Sequence, residues 1–306
     1  MTAITSRTHR RSTALKATPA QWTGRSIVAL VLIVFALFFI IPILWLLFAT
    51  TKSEPQLIGN NPFSVGSLQG LADNWNALVG FQSGAVATWL GNSAFYAISA
   101  LIITLIVSIP AGYALALTEF RLRRLLLVIT LVVMLIPNTA LVLPVFLELN
   151  TVGLIGSPLS VILPFSFFPF GVYLTYIYFS TSIPRDLLAA ARIDGCTEFG
   201  VFLRVALPLA TPVVALVAFF SFVQNWNNYF LPFVMLPSSD GYPMQVGLTS
   251  LLASTPAFNP SSAGSTSLQL PTLALATVVS VAPVIIVFLF SQRFLVSGMT
   301  AGSTKE

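Results

Sequence analysis

Ile183–Pro212 reads IPRDLLAAARIDGCTEFGVFLRVALPLATP, the longest charged interruption in an otherwise apolar second half of the chain. Its residue choices predict two short helices joined by a tight turn. Pro184 suits a first helical position, and Asp186–Ile193 is rich in Ala, Leu and Arg, all good helix formers. Gly195 falls where a helix commonly turns left-handed and ends. A second helical run, Glu198–Ala206, leads through Leu207 and Pro208 into the next apolar segment. A helix–glycine–helix held between two apolar spans is a stiff elbow. It can carry motion from a partner outside the membrane to the helices within it.

The composition around the elbow decides the class. Of 306 residues, 56% are apolar and 8% charged, against a usual charged share of about 25%. A soluble domain of this length could not bury so much apolar surface, so the fold class is an all-α polytopic membrane protein. The pI near 9.7 does not point to a nucleic-acid partner. The basic residues fall in short clusters between apolar spans, as membrane topology requires. Cys196 is the single cysteine, which excludes an internal disulfide and a cysteine-built metal site. His9, the single histidine, lies in a basic tail and leaves no basis for histidine metal or triad chemistry.

Six transmembrane helices are predicted. Residues 1–26 form a basic cytosolic tail with Arg7, Arg10, Arg11, Lys16 and Arg25 and the composition of a disordered segment. Ile27–Ala49 carries no charge and, at ~1.5 Å per residue, makes a helix of ~35 Å, enough to span. Leu47-Phe48-Ala49 supplies no small-x-small cleavage site, so this first span (27–49) reads as an uncleaved anchor. An external segment, 50–91, follows. The core, 92–294, holds five further spans: Asn92–Leu117, Leu125–Leu147, Pro158–Ser180, Val205–Met235 and Thr272–Phe294. Residues 295–306 form a cytosolic C-terminal tail. Prolines inside the third to sixth spans are tolerated in a bundle, where neighbours and water satisfy the freed carbonyls.

Charge sets the orientation. With the N-terminus inside, every Lys and Arg except Lys52 falls on the cytosolic side: the tail, Arg121, Arg123 and Arg124, then Arg185, Arg192 and Arg204, then Arg293 and Lys305. That asymmetry puts both termini and the elbow, residues 184–208, in the cytosol. Leu236–Leu270 becomes an external loop whose one charge is Asp240, and a loop of that length is seldom idle.

Deep in the fifth span lies a polar block, Gln224-Asn225-Trp226-Asn227-Asn228-Tyr229. Such side chains are costly in lipid unless they face protein or a water-filled path. Rings stack on sugar faces and amides bond hydroxyls, so the block suits the wall of a translocation path for an uncharged polyol. The plainer alternative is interhelical packing with an interfacial aromatic belt. The chain lacks an engine. Lys52-Ser53 is the only Lys followed by Ser or Thr, and no glycine-rich phosphate loop precedes it. No cofactor or metal is therefore expected in this chain, and any ATP with its Mg would have to be bound and hydrolysed by a separate subunit.

Two rival functions differ in what they need. An ion-gradient-driven secondary transporter places ionisable groups near the bilayer midplane, whereas every charge here is assigned to a loop or a span end, Glu148 included. A non-transporting membrane scaffold explains the spans and leaves the elbow without a purpose.

The elbow resembles the cytoplasmic coupling loop of ABC-importer permeases, a Glu-Ala-Ala-x-x-x-Gly pattern that closes on an apolar-x-Leu-Pro. Ala190 and Ala191 fill the alanine positions, Arg192-Ile193-Asp194 the spacer, Gly195 the glycine, and Val205-Ala206-Leu207-Pro208 the end. The pattern's Glu falls on Ala189, which removes one polar contact to the ATPase. The flanking matches are closer to the carbohydrate branch, the maltose-type second permease. They include Gly112-Tyr113-Ala114, the Pro137 to Pro144 spacing, Gly153-Leu154, Trp226-Asn227, Gln292-Arg293-Phe294 and Gly298-Met299-Thr300-Ala301-Gly302.

The resemblance implies the type I transmembrane domain of an ABC importer, a transport subunit and not an enzyme. It makes Asp186, Leu187, Leu188, Ala189, Ala190, Ala191, Arg192, Asp194, Gly195, Leu207 and Pro208 the ATPase-coupling loop. Leu187, Leu188 and Ala191 would press into an ATPase groove, with the charged residues orienting them. It also implies a second permease subunit, two ABC ATPase subunits and an extracellular or periplasmic solute-binding protein that meets Leu236–Leu270. The substrate would be a sugar or related polyol. The setting would be the lipid of a bacterial cytoplasmic membrane.

Overall fold

Proline placement decides which predicted spans run straight. The computed structural model describes residues 19–262 and 268–300. The expectations for Arg7, His9, Arg10, Arg11, Lys16, Ala301, Gly302 and Lys305 fall outside the described residues, as does a short part of the Leu236–Leu270 loop. The described chain folds into helices with no strand: α1 Pro19–Ala49, α2 Glu54–Gly59, α3 Leu68–Gly80, α4 Ala85–Leu117, α5 Arg123–Met134, α6 Asn138–Thr151, α7 Leu159–Ser166 and α8 Pro169–Thr181. The second half adds α9 Arg185–Ile193, α10 Glu198–Val201, α11 Leu207–Leu209, α12 Thr211–Trp226, α13 Phe230–Met235, α14 Met244–Ala253 and α15 Leu270–Thr300.

Pro42, Pro110 and Pro283 lie inside α1, α4 and α15 without ending them. Pro144 and Pro164 likewise sit inside α6 and α7, whereas the chain breaks at Pro137 and Pro169. Ile136 precedes Pro137, which disfavours helical geometry at that residue, and Pro137 itself is extended (ψ 128°). The expected straight third span is therefore two helices, α5 and α6, bent by 106°. Phe168 (φ −130°, ψ 74°) precedes Pro169 and parts α7 from α8, although Leu159–Thr181 still counts as one crossing. The expected fifth span also fails to run straight. Glu198–Leu209 lies at 77° to α12, and a break at Asn227–Tyr229 separates α12 from α13. Among the described residues, four stretches are long and apolar enough to cross a bilayer, and up to six when each bent pair is one crossing.

α4 is the hub, with α7, α8 and α12 packed around it. Gly112 permits that closeness, because a Cβ there would collide with Thr175 of α8, the small-residue logic of helix pairs in lipid. α1 lies along α15 and leaves residues such as Leu32 and Phe38 bare, a surface made for hydrocarbon.

The face expected to lie outside is more structured than a pair of loops. Lys52 is buried, and its ammonium donates to the carbonyls of Asn61 (3.0 Å) and Pro62 (3.1 Å). Asn74 donates to the Thr50 and Lys52 carbonyls and accepts from Thr272, which ties residues 50–80 to α15. The expected loop Leu236–Leu270 contains α14, whose Met244, Val246 and Leu251 are buried. Trp89 explains this. Its ring covers Gly247, where a Cβ would strike it, and its Nε1 donates to the Ser239 carbonyl at 3.0 Å.

Candidate functional site

The elbow forms as its residue types dictate. Asp186 in the first turn of α9 and Arg192 in the last both oppose the helix dipole. The helix ends in a Schellman turn: Gly195 sits at φ +87°, its N–H donates to Arg192, and the Cys196 N–H reaches back to Ala191. Thr197 caps α10 by accepting from Gly200 N–H at 3.2 Å. Across the turn, Arg192 grips Glu198 through both oxygens, at 2.6 and 3.1 Å. These bonds hold the Glu198 carboxyl below the ordinary carboxylate range and raise the Arg192 guanidinium.

Pro208 shapes the far arm. It cannot donate to the carbonyl one turn back, and its ring crowds that carbonyl. The chain widens ahead of it into a π-turn over Phe202–Ala206, where Leu207 N–H bonds Phe202.

The elbow's apolar residues divide between two sides. Leu188 and Ala191 are buried at 2% and 9% exposure, packed with Ile109, Tyr113 and Ala116 of α4, Phe179 of α8, and Val201, Phe202 and Ala206. The expectation that Leu188 and Ala191 press into a partner is thereby corrected: positions three apart on α9 face the chain's own core. Outward stand Leu187 (47% exposed), Ile193 (87%) and Phe199 (70%), with Asp186, Ala189, Ala190 and Asp194 also exposed. Phe199 is a residue that sequence reasoning missed, although an aromatic beside Glu198 in a charged segment was a usable signal. Beneath the elbow, Tyr113 packs edge-on to Phe179 and tilted against Phe202. Its buried hydroxyl has no hydrogen-bond partner among the described residues.

A second site opens higher in the bundle, where the helices break. A cavity of about 320 Å³ lies between α6, α7 and the α12–α13 hinge, and Asn138, Thr139, Glu148, Gln224 and Asn228 supply its polar lining. A neighbouring cavity of about 240 Å³ shares Asn138, Leu141, Phe167 and Gln224 with it. Both abut the breaks at Pro137 and Pro169. Of the polar block, Gln224 and Asn228 reach this space. Asn225 is buried and bonds Ser221, which meets Thr104 of α4 at 3.5 Å. Trp226 donates to the Ser280 carbonyl on α15 at 3.0 Å and stacks on Phe222. Asn227 accepts weakly from Gln245, and Tyr229 stacks on Phe233. The block thus serves both packing and cavity.

Glu148 stands exposed in the last turn of α6, at a helix end as expected, and it also lines the cavity.

Comparison with known proteins agrees with this geometry. Residues 108–301 match the family described as "Binding-protein-dependent transport system inner membrane component". The arabinooligosaccharides transport system permease protein AraQ of Bacillus subtilis (strain 168) is 32% identical over 95% of this chain and 99% of its own. Its namesake in Halalkalibacterium halodurans is 31% identical over 87% and 91%. The diacetylchitobiose uptake system permease protein NgcG of Streptomyces coelicolor is 30% identical over 89% and 86%. Among solved structures, a chain of a bacterial ABC transporter involved in the import of the acidic polysaccharide alginate shares the fold. It has a TM-score of 0.79 at 24% identity, covering 92% of this chain and 99% of that one.

Proposed function

The chain belongs to the binding-protein-dependent transport system inner membrane components, the permease subunits of ABC importers, and from that premise we propose how it moves a sugar across a bacterial cytoplasmic membrane. Its work is transport and not catalysis. Membership in the family carries with it a partner permease, an ATPase and a solute-binding protein. In the arrangement proposed, a second, different permease completes the pore. Two ATPase subunits bind ATP and Mg below it, and the solute-binding protein meets the outer face near Ser238–Tyr242. Both termini lie in the cytosol.

The observation that carries the reading is the two-sided elbow. Its inner side (Leu188, Ala191, Val201, Phe202) is rooted among α4, α8 and the base of α12, while Leu187, Ile193 and Phe199 are left bare on the other. A bare apolar face on a rooted helix is a lever seated in a groove. When the ATPases close, the lever moves and the cavity wall at the Pro137 and Pro169 breaks reshapes. Gln224, Asn228 and Asn138 then offer amides to sugar hydroxyls on their way through. A swing of the resting equilibrium from 1:99 to 99:1 asks about 5.5 kcal/mol of differential binding.

The test is co-purification of the assembled complex. Ile193→Asp with Phe199→Asp should strip the ATPase from the chain while the partner permease stays bound. An ATPase that remains at full stoichiometry on this variant would overturn the lever.

A further inference from the structure

The larger cavity holds one ionisable side chain, Glu148, and no basic one. Nor does a cation lie in wait on the same side of the membrane. The basic residue assigned there is Lys52, and its ammonium is spent on the Asn61 and Pro62 carbonyls. The ion pair Arg192–Glu198 belongs to the elbow at the opposite face. Around Glu148 the wall is apolar, with Leu141, Val145, Leu163 and Phe165. A single-sign charge against low-dielectric walls projects its field into the space it faces. Glu148 is exposed in the last turn of α6, at the edge of this space, and no ion pair or side-chain hydrogen bond holds its carboxylate among the described residues.

We propose that Glu148 sets charge selection in the translocation path. Its carboxylate is an acceptor with room for several donors. It takes hydroxyl or ammonium hydrogens of a neutral or amine-bearing sugar, while the Gln224 and Asn228 amides both donate and accept across the cavity. A sugar carrying a carboxylate, phosphate or sulfonate meets repulsion at the same point. The cavity volume, about 320 Å³, falls at the small end of ligand pockets, which suits one or two sugar rings at a time. This inference rests on the reading of the cavity as the path.

The test needs no knowledge of the natural sugar. In right-side-out vesicles holding the whole complex, Gln224→Cys is labelled from outside with two membrane-impermeant thiol reagents. One is the cationic trimethylammonioethyl methanethiosulfonate, the other its anionic sulfonatoethyl counterpart. The native chain, with Cys196 on the far side, gives the background. With Glu148 present the cationic reagent should react faster, and Glu148→Gln should lower the cation-to-anion rate ratio on the order of tenfold. Glu148→Asp, which keeps the charge, should preserve the ratio. A ratio unmoved by Glu148→Gln overturns the charge selection and leaves the path standing. A cysteine at 224 that neither reagent reaches, with or without ATP, removes the path and the proposal with it.

Discussion

The elbow and the cavity are made of the same material, short helices broken by proline and glycine, and they differ in what fills the breaks. At the elbow every break is closed. Gly195 completes a Schellman turn, Arg192 clasps Glu198, and the apolar inner side is buried against α4. At Pro137 and Pro169 the breaks stay open and the space between them is the cavity. In the proposed mechanism the lever has to be stiff, because any give at Gly195 would dissipate the ATPase stroke. A path wall, as proposed for the cavity, would have to yield between an open and a shut state. One chain meets both needs by choosing where to leave a proline break unfilled.

The sharpest way to break this contrast is to soften the elbow. No atom lies within 4 Å of a Cβ built on Gly195, so its φ of +87° is the whole constraint. A β-branched residue there is strained, by about 1–2 kcal/mol for a left-handed L-residue, and would unwind the turn. Gly195→Val should cut sugar uptake by the reconstituted complex more than tenfold while ATP hydrolysis continues. Gly195→Asn, tolerated in that conformation, should keep most of it. Equal uptake by both variants would show that the turn's stiffness is irrelevant.

A second measure compares identical truncations in the two regions. Leu188→Ala removes a side chain that is 2% exposed and should cost about 2–5 kcal/mol. Leu163→Ala removes one that is 45% exposed on the cavity rim and should cost about 0.5 kcal/mol or less. Thermal unfolding of the nanodisc-bound complex reads both. Similar losses would mean that the cavity wall is as tightly packed as the elbow.

How far each region could be read from the chain follows from the sequence distance it spans. The elbow's contacts are local: Arg192 and Glu198 are six residues apart, and the turn, caps and charges all sit within one segment. Helix ends and glycine chemistry therefore located it. Which side faces inward was not legible, because Leu187 and Leu188 are adjacent and only α4 and α8 decide between them. The cavity joins residues 138–149, 163–167 and 224–231, and no local pattern relates those three. The cavity beside Glu148 was not foreseen because the third span was extended through Pro137, where the chain bends by 106°. α14 was hidden for a related reason. Its loop-like neighbours disguise a helix whose burial depends on Trp89, more than 150 residues earlier.

Tyr113 tests how complete the elbow's closure is. Its hydroxyl is buried without a partner among the described residues, a loss of hydration worth about 1–3 kcal/mol. Tyr113→Phe should therefore leave the fold at least as stable, with an unfolding midpoint equal to or above that of the native complex. A lower midpoint would show that the assembled complex supplies the hydroxyl with a partner, and that the elbow is finished only by its neighbours.

The smallest effect belongs to the Arg192–Glu198 clasp, whose side chains are 39% and 62% exposed. Solvent screening holds such a pair to about 0.2–1 kcal/mol. Because the hydrogen bond from Arg192 lowers the Glu198 pKa, the unfolded chain takes up this proton at a higher pH than the folded chain does. The pair's contribution is then complete above the ordinary carboxylate range and is lost as pH falls through the lowered pKa. A double-mutant cycle of Arg192→Gln and Glu198→Gln, followed by thermal unfolding, should give a small coupling energy at neutral pH. At about pH 3, below the usual carboxylate value, that coupling should be smaller still. Uptake by Glu198→Gln should stay within about twofold of native, since the Schellman turn survives the loss of the clasp. Should Glu198→Gln uncouple the transporter as thoroughly as Gly195→Val, the stiffness would reside in the ion pair and not the backbone, and salt would then tune the lever in a way no glycine turn allows.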